Sequence, residues 1–195
     1  MEAKTRRRGV ELEDAILDAA WAELNEVGYT ALTIEAVAKR AGTSKPVIYR
    51  RWPSRATLVI ASWARQQPVK PITPDLGSLR ADIRWLFDRI ASRMDSMMSQ
   101  AIAGVMAEAF KHPEVQALLR ERMDSAPLTT SLWTVVDRAI DRGELQPVLV
   151  PPRVLRLPVD LIRAEAILCG NPVSEETLDA LVDEVYLPLL KGLAL

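Results

Sequence analysis

Apolar residues recur along this chain every three to four positions, and the strict alternation of a half-buried strand is almost absent. Proline and glycine fall mostly between the periodic stretches. The pattern predicts an all-α protein of about nine helices. The first is expected over residues 11–27, with Leu12, Ala15, Ile16, Ala19, Ala20 and Leu24 on one stripe and Gly28 at its end. Thr33 is placed to cap a second helix, whose Ile34, Val37, Ala38 and Ala41 face inward. Ala36 stands where a full capping box would carry Glu, and Gly42 closes the helix. Thr43 or Ser44 caps a third, very short helix ending near Trp52, and Ser54 opens a fourth that runs to residue 67.

Pro68, Pro71 and Pro74, followed by Gly77, read as a stiff connector and a domain boundary. Helical periodicity resumes over residues 78–98, 100–111, from Pro113 onward, and over 128–142, 152–169 and 174–191. Pro158 is expected to kink or restart the helix that contains it. The resulting division is a flexible basic arm over residues 1–9, an N-terminal domain of short helices with its connecting helix over 10–67, and a C-terminal helical domain over 78–195.

Composition adds little until its distribution is considered. Hydrophobic residues make up 49% and charged residues 26%, an ordinary globular balance, and the net charge is −1. The charge is uneven, however. Six Lys or Arg residues and no acid occupy residues 39–55, which points to a module that meets a polyanion. The single cysteine, Cys169, leaves no internal disulfide and fits a reducing compartment; it reads as a small buried hydrophobe. The basic start is followed at once by Glu11, Glu13 and Asp14 rather than an apolar run, and no apolar stretch approaches membrane-spanning length, so a cytoplasmic protein with no membrane partner is expected. No His, Cys or carboxylate cluster has metal-ligand spacing, and no cofactor is implied. His112, the lone histidine, precedes Pro113 and reads as a capping or surface residue.

A short helix, a tight glycine-containing turn and a shorter helix form the geometry of a helix-turn-helix, which sets its second helix in the major groove. Projected at about 100° per residue, Ile48 and Trp52 share the inward face of that second helix. Pro46, Val47 and Arg50 point the opposite way, Tyr49 and Arg51 sit on the shoulders, and Lys45 lies at the N-terminal end. A rigid apolar patch ringed by cations and a phenol suits thymine methyls, guanine edges and phosphates. The helix N-termini at Thr33, Thr43 and Ser54 offer N–H groups to phosphates. With no acid next to it in sequence, the cluster from Lys45 to Arg55 should repel itself unless a polyanion screens it.

The segment from Glu11 to Trp63 resembles the DNA-binding domain of TetR-type transcriptional regulators. The string AILDAAWAELNEVGYTALTIEAVAKRAGTSKPVIYRRWPSRATL carries Gly28, Tyr29, Thr33, Ile34, Val37, Ala38, Ala41, Gly42, Ile48, Tyr49, Trp52 and Leu58 at family-like positions. The resemblance implies a DNA contact for Tyr49 and a phosphate contact for Arg55, where the family usually has Lys. Arg51 stands where His is frequent and Trp52 where Phe is usual. The implied DNA-binding set is Thr33, Thr43, Ser44, Lys45, Pro46, Val47, Tyr49, Arg50, Arg51 and Arg55. SLRADIRWL, HPEVQALLRERM, DRAIDRGELQP and GNPVSEETLDALV are similar to TetR-type regulatory domains. The resemblance further implies a homodimer joined through its last two long helices, with an effector pocket in each regulatory domain.

The C-terminal residues agree with those implications. The penultimate helix is apolar on nearly all sides, so a symmetric partner would help to cover it. Leu161, Ile162, Glu165, Leu168, Leu178, Leu181, Val182 and Val185 are the expected dimer contacts. Arg156, Asp160 and Arg163 form a polar stripe that reads either as an intrahelical pairing or as an interface contact. Leu86, Phe87, Ile90, Met94, Met98, Met106, Phe110 and Trp133 are the candidate effector pocket, set against the alternative that they are ordinary core. The sequence thus reads as a DNA-binding regulator, expected to be a repressor that binds a palindromic operator in double-stranded DNA and is released by a small apolar effector. The alternative is a DNA-bound helical interaction module with no effector. An enzyme would need Glu108 paired with Asp137 or Glu165, because no catalytic triad, P-loop or dinucleotide motif exists.

Overall fold

The apolar stripes become helices. The computed structural model describes residues 9–66, 73–94, 96–123, 126–169 and 172–193, so most of the basic arm and the first half of the proline connector lie outside the described residues. The elements are α1 (Val10–Ala31), α2 (Ile34–Ala41), α3 (Lys45–Tyr49), α4 (Arg55–Gln66), α5 (Leu79–Ala91), α6 (Ser96–Ala109), α7 (Pro113–Met123), α8 (Ala126–Asp141), α9 (Pro152–Ala164), α10 (Glu175–Ala180) and α11 (Leu187–Leu193). Wider π-helical turns follow α9 over Glu165–Cys169 and join α10 to α11 over Leu181–Tyr186. Among the described residues there is no strand.

Two units emerge from the packing: Met1–Pro68 with Gln100–Leu119, and Val69–Ser99 with Arg120–Leu195. One seam falls at the proline connector. The other gives residues 100–119, assigned from sequence to the C-terminal domain, to the N-terminal unit.

In the first unit, Ile16, Ala20 and Leu24 of α1 are buried together with Val37 of α2, Ile48 of α3 and Leu58 of α4. The buried Ser62 hydroxyl of α4 donates to the Leu17 carbonyl of α1 at 2.8 Å, satisfying a polar group that burial would otherwise penalise. On the surface Arg65 of α4 pairs with Asp14 and Asp18 of α1. Helix α1 breaks at Gly28 and resumes for one turn to Ala31, rather than ending at the glycine. His112 supplies the carbonyl at the start of α7, accepting from Val115 and Gln116, and its ring lies 3.3 Å from Glu114.

In the second unit, Ile83, Leu86 and Phe87 of α5 meet Leu132, Val135 and Val136 of α8, Ile162 of α9, and Val182, Tyr186 and Leu190 near the C-terminus. The entrance to α5 is held from a distance. Ser78 caps it by accepting from the Ala81 N–H at 3.2 Å, and Glu144 accepts from the Leu79 N–H at 2.8 Å. Asp82 is fully buried; it accepts from the Leu76 N–H at 2.7 Å and pairs with Arg142 at 3.1 Å. The DRGE run therefore clamps the start of α5. Burial raises the Glu144 carboxyl, but its bonds from Leu79 and Arg142 outweigh that and hold its pKa below the usual range.

Helix α9 continues through Pro158 rather than restarting there. An interior proline costs about 3 kcal/mol, partly because the carbonyl four residues earlier loses its N–H partner. That carbonyl belongs to Val154, and the fully buried Tyr186 hydroxyl donates to it at 3.1 Å. The tyrosine replaces the missing donor while its ring packs on Phe87, with centroids 5.6 Å apart. Pro188, which likewise offers no donor, sits just beyond the π turns of Leu181–Tyr186.

Within α9, Arg156 and Arg163 both pair with Asp160, at 3.0 and 2.5 Å. Cys169 is exposed in this chain rather than buried as expected, because the π turn at the end of α9 carries it off the buried face.

Tyr186→Phe should lower stability by about 1–2 kcal/mol in urea denaturation, by orphaning the Val154 carbonyl. In a Pro158→Ala background, where the new backbone N–H can serve that carbonyl, the cost should shrink by at least half. Equal costs in both backgrounds would show that the hydroxyl does not stand in for the proline.

Candidate nucleic-acid interface

The turn between α2 and α3 depends on Gly42, whose φ of 67° and ψ of 38° lie in the left-handed region that glycine enters without strain. Thr33 caps α2, its Oγ1 accepting from the Ala36 N–H at 3.1 Å. Ser44 is the N-cap of α3 through its backbone, accepting from Val47 at 3.0 Å, and its hydroxyl makes no cap bond. Pro46 lies in the first turn, where its missing N–H costs nothing. After Tyr49 the chain keeps turning to Trp52, whose N–H donates to the Ile48 carbonyl at 2.9 Å. Ser54 and Thr57 then form a reciprocal box at the start of α4. The Ser54 Oγ accepts from the Thr57 N–H, and Thr57 Oγ1 accepts from the Ser54 N–H at 3.1 Å.

Helix α3 presents the face read from its sequence. Ile48 and Trp52 are buried. Lys45, Pro46, Tyr49, Arg50 and Arg51 are exposed, Tyr49 by 46%, and Thr33 and Ser44 are exposed beside them. Val47 and Thr43 are half-buried at the edge.

The expected self-repulsion of the cations is corrected by the fold. Acids distant in sequence stand beside them: Glu35 lies 3.0 Å from Lys45, Glu13 pairs with Arg51, and Glu23 and Glu26 pair with Arg40. Exposed pairs of this kind are worth well under about 1 kcal/mol each and yield readily to a competing anion. Among the described residues Arg50 has no ion pair, which leaves it the most available cation on the outward face.

Arg55 differs from the rest. It opens α4, yet its side chain turns back onto α1 and α6 rather than outward. Nη1 donates to the carbonyls of Tyr29 and Thr30 at 3.1 and 3.3 Å, and Nη2 to the Glu108 carboxylate at 2.7 Å. The guanidinium lies 4.3 Å from the centroid of the Tyr29 ring. Burial pulls the Glu108 carboxyl up, but hydrogen bonding and charge from Arg55, with the nearby Tyr29 hydroxyl, overcome it and leave its pKa below the usual range. Burial and that same carboxylate push the Tyr29 hydroxyl far up. The hydroxyl is buried and, among the described residues, falls outside hydrogen-bonding geometry with any partner. Gly104, one turn before Glu108 on α6, makes room for the ring: a Cβ there would collide with Tyr29 Cδ1.

This node was not legible from the sequence, because Glu108 is 53 positions from Arg55. The usable signal was a glycine inside an otherwise helical pattern, one turn before an acid. The carboxylates that an enzyme would need fall in different units. Glu108 is committed to Arg55, and Asp137 is exposed.

Family comparison decides what such a head belongs to. The model of bacterial regulatory proteins of the tetR family matches residues 16–61, and that of the tetracycline-repressor-like C-terminal domain matches residues 73–185. The chain belongs to the TetR family of transcriptional regulators. An uncharacterised helix-turn-helix regulator of Mycobacterium tuberculosis is 31% identical over 167 residues, spanning 86% of this chain and 82% of that one. The DNA-binding transcriptional repressor TetR of Mycobacteroides abscessus is 25% identical over 185 residues, 94% and 96% of the two chains. Among solved structures, the TetR family regulator SCO0332 superposes with a TM-score of 0.69 at 20% identity, covering 90% of this chain and 97% of that one. The flavonoid-responsive regulator FrrA does so at 0.56 and 22%, covering 93% and 96%. These structural likenesses concern the fold. The TetR-family chain is thus a DNA-binding transcriptional regulator, a family of regulators and not of enzymes. No helix among its described residues is long and apolar enough to cross a membrane.

The remaining candidate residues of this TetR-family protein fall in several environments. Leu86, Phe87, Ile90, Met94 and Met98 are buried in the second unit, and Trp133 packs half-buried against its core. Met106 and Phe110 belong to the first unit and are exposed, Phe110 by 88%. Ile162, Leu178, Leu181 and Val182, read from sequence as dimer contacts, are instead buried in the chain's own core. The phase of α9, α10 and the π turn that follows α10 sets them in the cluster that α5 and α8 also form. Leu161 and Glu165 are half-buried, while Leu168 and Val185 are exposed by 81% and 39%.

Gly104→Ala should destabilise the first unit by about 1–3 kcal/mol through overpacking against Tyr29, measured by chemical denaturation. A cost below about 0.5 kcal/mol would mean that the ring can move aside freely.

Proposed function

We propose that this regulator is a repressor that binds a palindromic operator as a homodimer and leaves it when a small apolar effector binds. The observation that carries the DNA-binding part is the two-faced α3: Ile48 and Trp52 buried beneath, Lys45, Pro46, Tyr49 and Arg50 outward. Tyr49 and the Pro46–Val47 edge supply apolar contact to base edges. Lys45, Arg50 and Arg51 supply charge to guanines and phosphates, and Thr33, Thr43 and Ser44 approach the backbone from the helix starts. Two such heads would read half-sites about one helical turn, or a multiple of it, apart. Such a protein works in the cytoplasm, where the chromosome lies.

The homodimer is supported by the apolar surface left on the last helices, where Leu168 and Val185 are exposed beside half-buried Leu161 and Leu189. That surface, rather than Ile162 or Val182, is where a second copy would bury apolar area. Repression is supported by the mycobacterial relative named a repressor, and an effector by the relative in structure named for its response to flavonoids. In this reading the effector meets the apolar interior that includes Leu86, Phe87, Ile90, Met94 and Met98. The burial of those same residues also supports the second reading, a DNA-bound interaction module with a filled core and no effector.

Arg50→Ala should weaken binding to any duplex by roughly three- to tenfold and flatten the plot of log affinity against log salt by about 0.9, the signature of one lost phosphate contact. Fluorescence anisotropy across a salt series reads both quantities; an unchanged slope would remove Arg50 from the interface. Leu168→Glu should convert the dimer to monomer in sedimentation velocity while leaving the helical circular dichroism intact. A variant that remains dimeric would move the interface elsewhere.

A further inference from the structure

Resting on the DNA-binding reading, we propose that Glu108 is an internal substitute for a DNA phosphate: it occupies Arg55 in the free protein and competes with duplex backbone for that guanidinium. Three observations carry this. First, Arg55 is the opening residue of α4, at the end of a helix whose dipole is positive. A cation there is unfavourable unless an anion lies beside it, and the anion present is Glu108, with Nη2 to Oε1 at 2.7 Å. Second, the guanidinium is held from several sides. It spends both Nη1 donors on the Tyr29 and Thr30 carbonyls, rests on the Tyr29 ring, and keeps less than a third of its side-chain surface exposed. Third, the pair is electrically neutral. While Glu108 holds Arg55, the guanidinium adds nothing to the net positive charge that releases counterions from DNA.

The contact is also specified in shape. Tyr29 fits over Gly104, and Glu108 follows one helical turn later, so the α6 surface receives the ring and the guanidinium side by side. Arg55 has donors left, its Nε–H and one Nη2 hydrogen, but an approaching phosphate meets the carboxylate's negative charge as well as the guanidinium. Removing that charge while keeping the side chain's shape should therefore strengthen DNA binding. This distinguishes competition from simple positioning, in which Glu108 would aim Arg55 and its removal would weaken binding.

The test measures the affinity of full-length wild type, Glu108→Gln, Arg55→Gln and the double variant for a fluorescein-labelled mixed-sequence duplex, across about 50–200 mM salt. Competition predicts that Glu108→Gln binds about threefold or more tightly than wild type at the lowest salt, with a salt slope steeper by about 0.9. In the Arg55→Gln background, the same change should leave the slope unaltered. Equal or weaker binding by Glu108→Gln, or the same slope change with and without Arg55, overturns the proposal. If Glu108→Gln does not fold, the wild type answers instead: its Glu108 carboxyl carbon resonance should move as DNA saturates the protein, and a stationary resonance overturns the competition. Wild type that shows no salt-dependent binding at all would sink the DNA-binding reading and this proposal together, whereas normal wild-type binding with an inert Glu108→Gln sinks only the latter.

Discussion

A five-residue helix has no stability of its own, because nucleation costs more than so few hydrogen bonds return. Helix α3 exists because Ile48 and Trp52 are buried beneath it, and that burial is the constraint on which the rest of the reading head depends. Burial of two such side chains supplies several kcal/mol, on the order of 1.5–3 each, enough to fix the orientation of every other residue on the helix. Once those two are inside, helical geometry leaves Lys45, Pro46, Tyr49 and Arg50 nowhere to go but out. The outward face is a consequence of the inward one.

Charge in the head is arranged rather than merely accumulated. The run from Lys39 to Arg55 contains no acid, yet α1, α2 and α6 bring Glu13, Glu23, Glu26, Glu35 and Glu108 against its cations. Most of these pairs are well exposed and weak, so a polyanion can replace them at little cost. The Arg55–Glu108 pair is more enclosed, and carbonyls and an aromatic ring hold the same guanidinium. The head therefore contains cations of two kinds: those in weak pairs at the surface, and one enclosed with an internal carboxylate.

The second unit solves a different problem, that of helices interrupted by residues unsuited to them. Pro158 removes a backbone donor inside α9, and Tyr186 crosses from the C-terminal segment to replace it. Asp82 is a fully buried carboxyl, which is tolerable because Arg142 and the Leu76 N–H meet it. Each device ties together segments far apart in the chain. The inward faces of α9 and α10 are consequently spent on this chain's own core, and Leu168, Val185 and Leu193 are among the apolar side chains that the last helices leave exposed.

How much of this could be read without a structure follows from the range of each interaction. Stripes at helical spacing located nearly every helix, and the Thr33 cap, Gly42 turn and Pro46 start defined the helix-turn-helix, because those signals act within a few residues. The inward Ile48–Trp52 pair needed only the helical repeat. The helix ends were less legible: Gly28 interrupts α1 without ending it, and Pro158 does not break α9, since tertiary contacts outweighed local preference. The sequence by itself determined the all-helical class, the two-faced α3 and the family resemblance. Only the tertiary structure decided that residues 100–119 pack with the head, that Glu108 takes Arg55, and which apolar faces of the last helices stay uncovered. Those outcomes depend on which side of one helix meets another tens of residues away, and a helical repeat fixes the sides of a helix without saying what each side will touch.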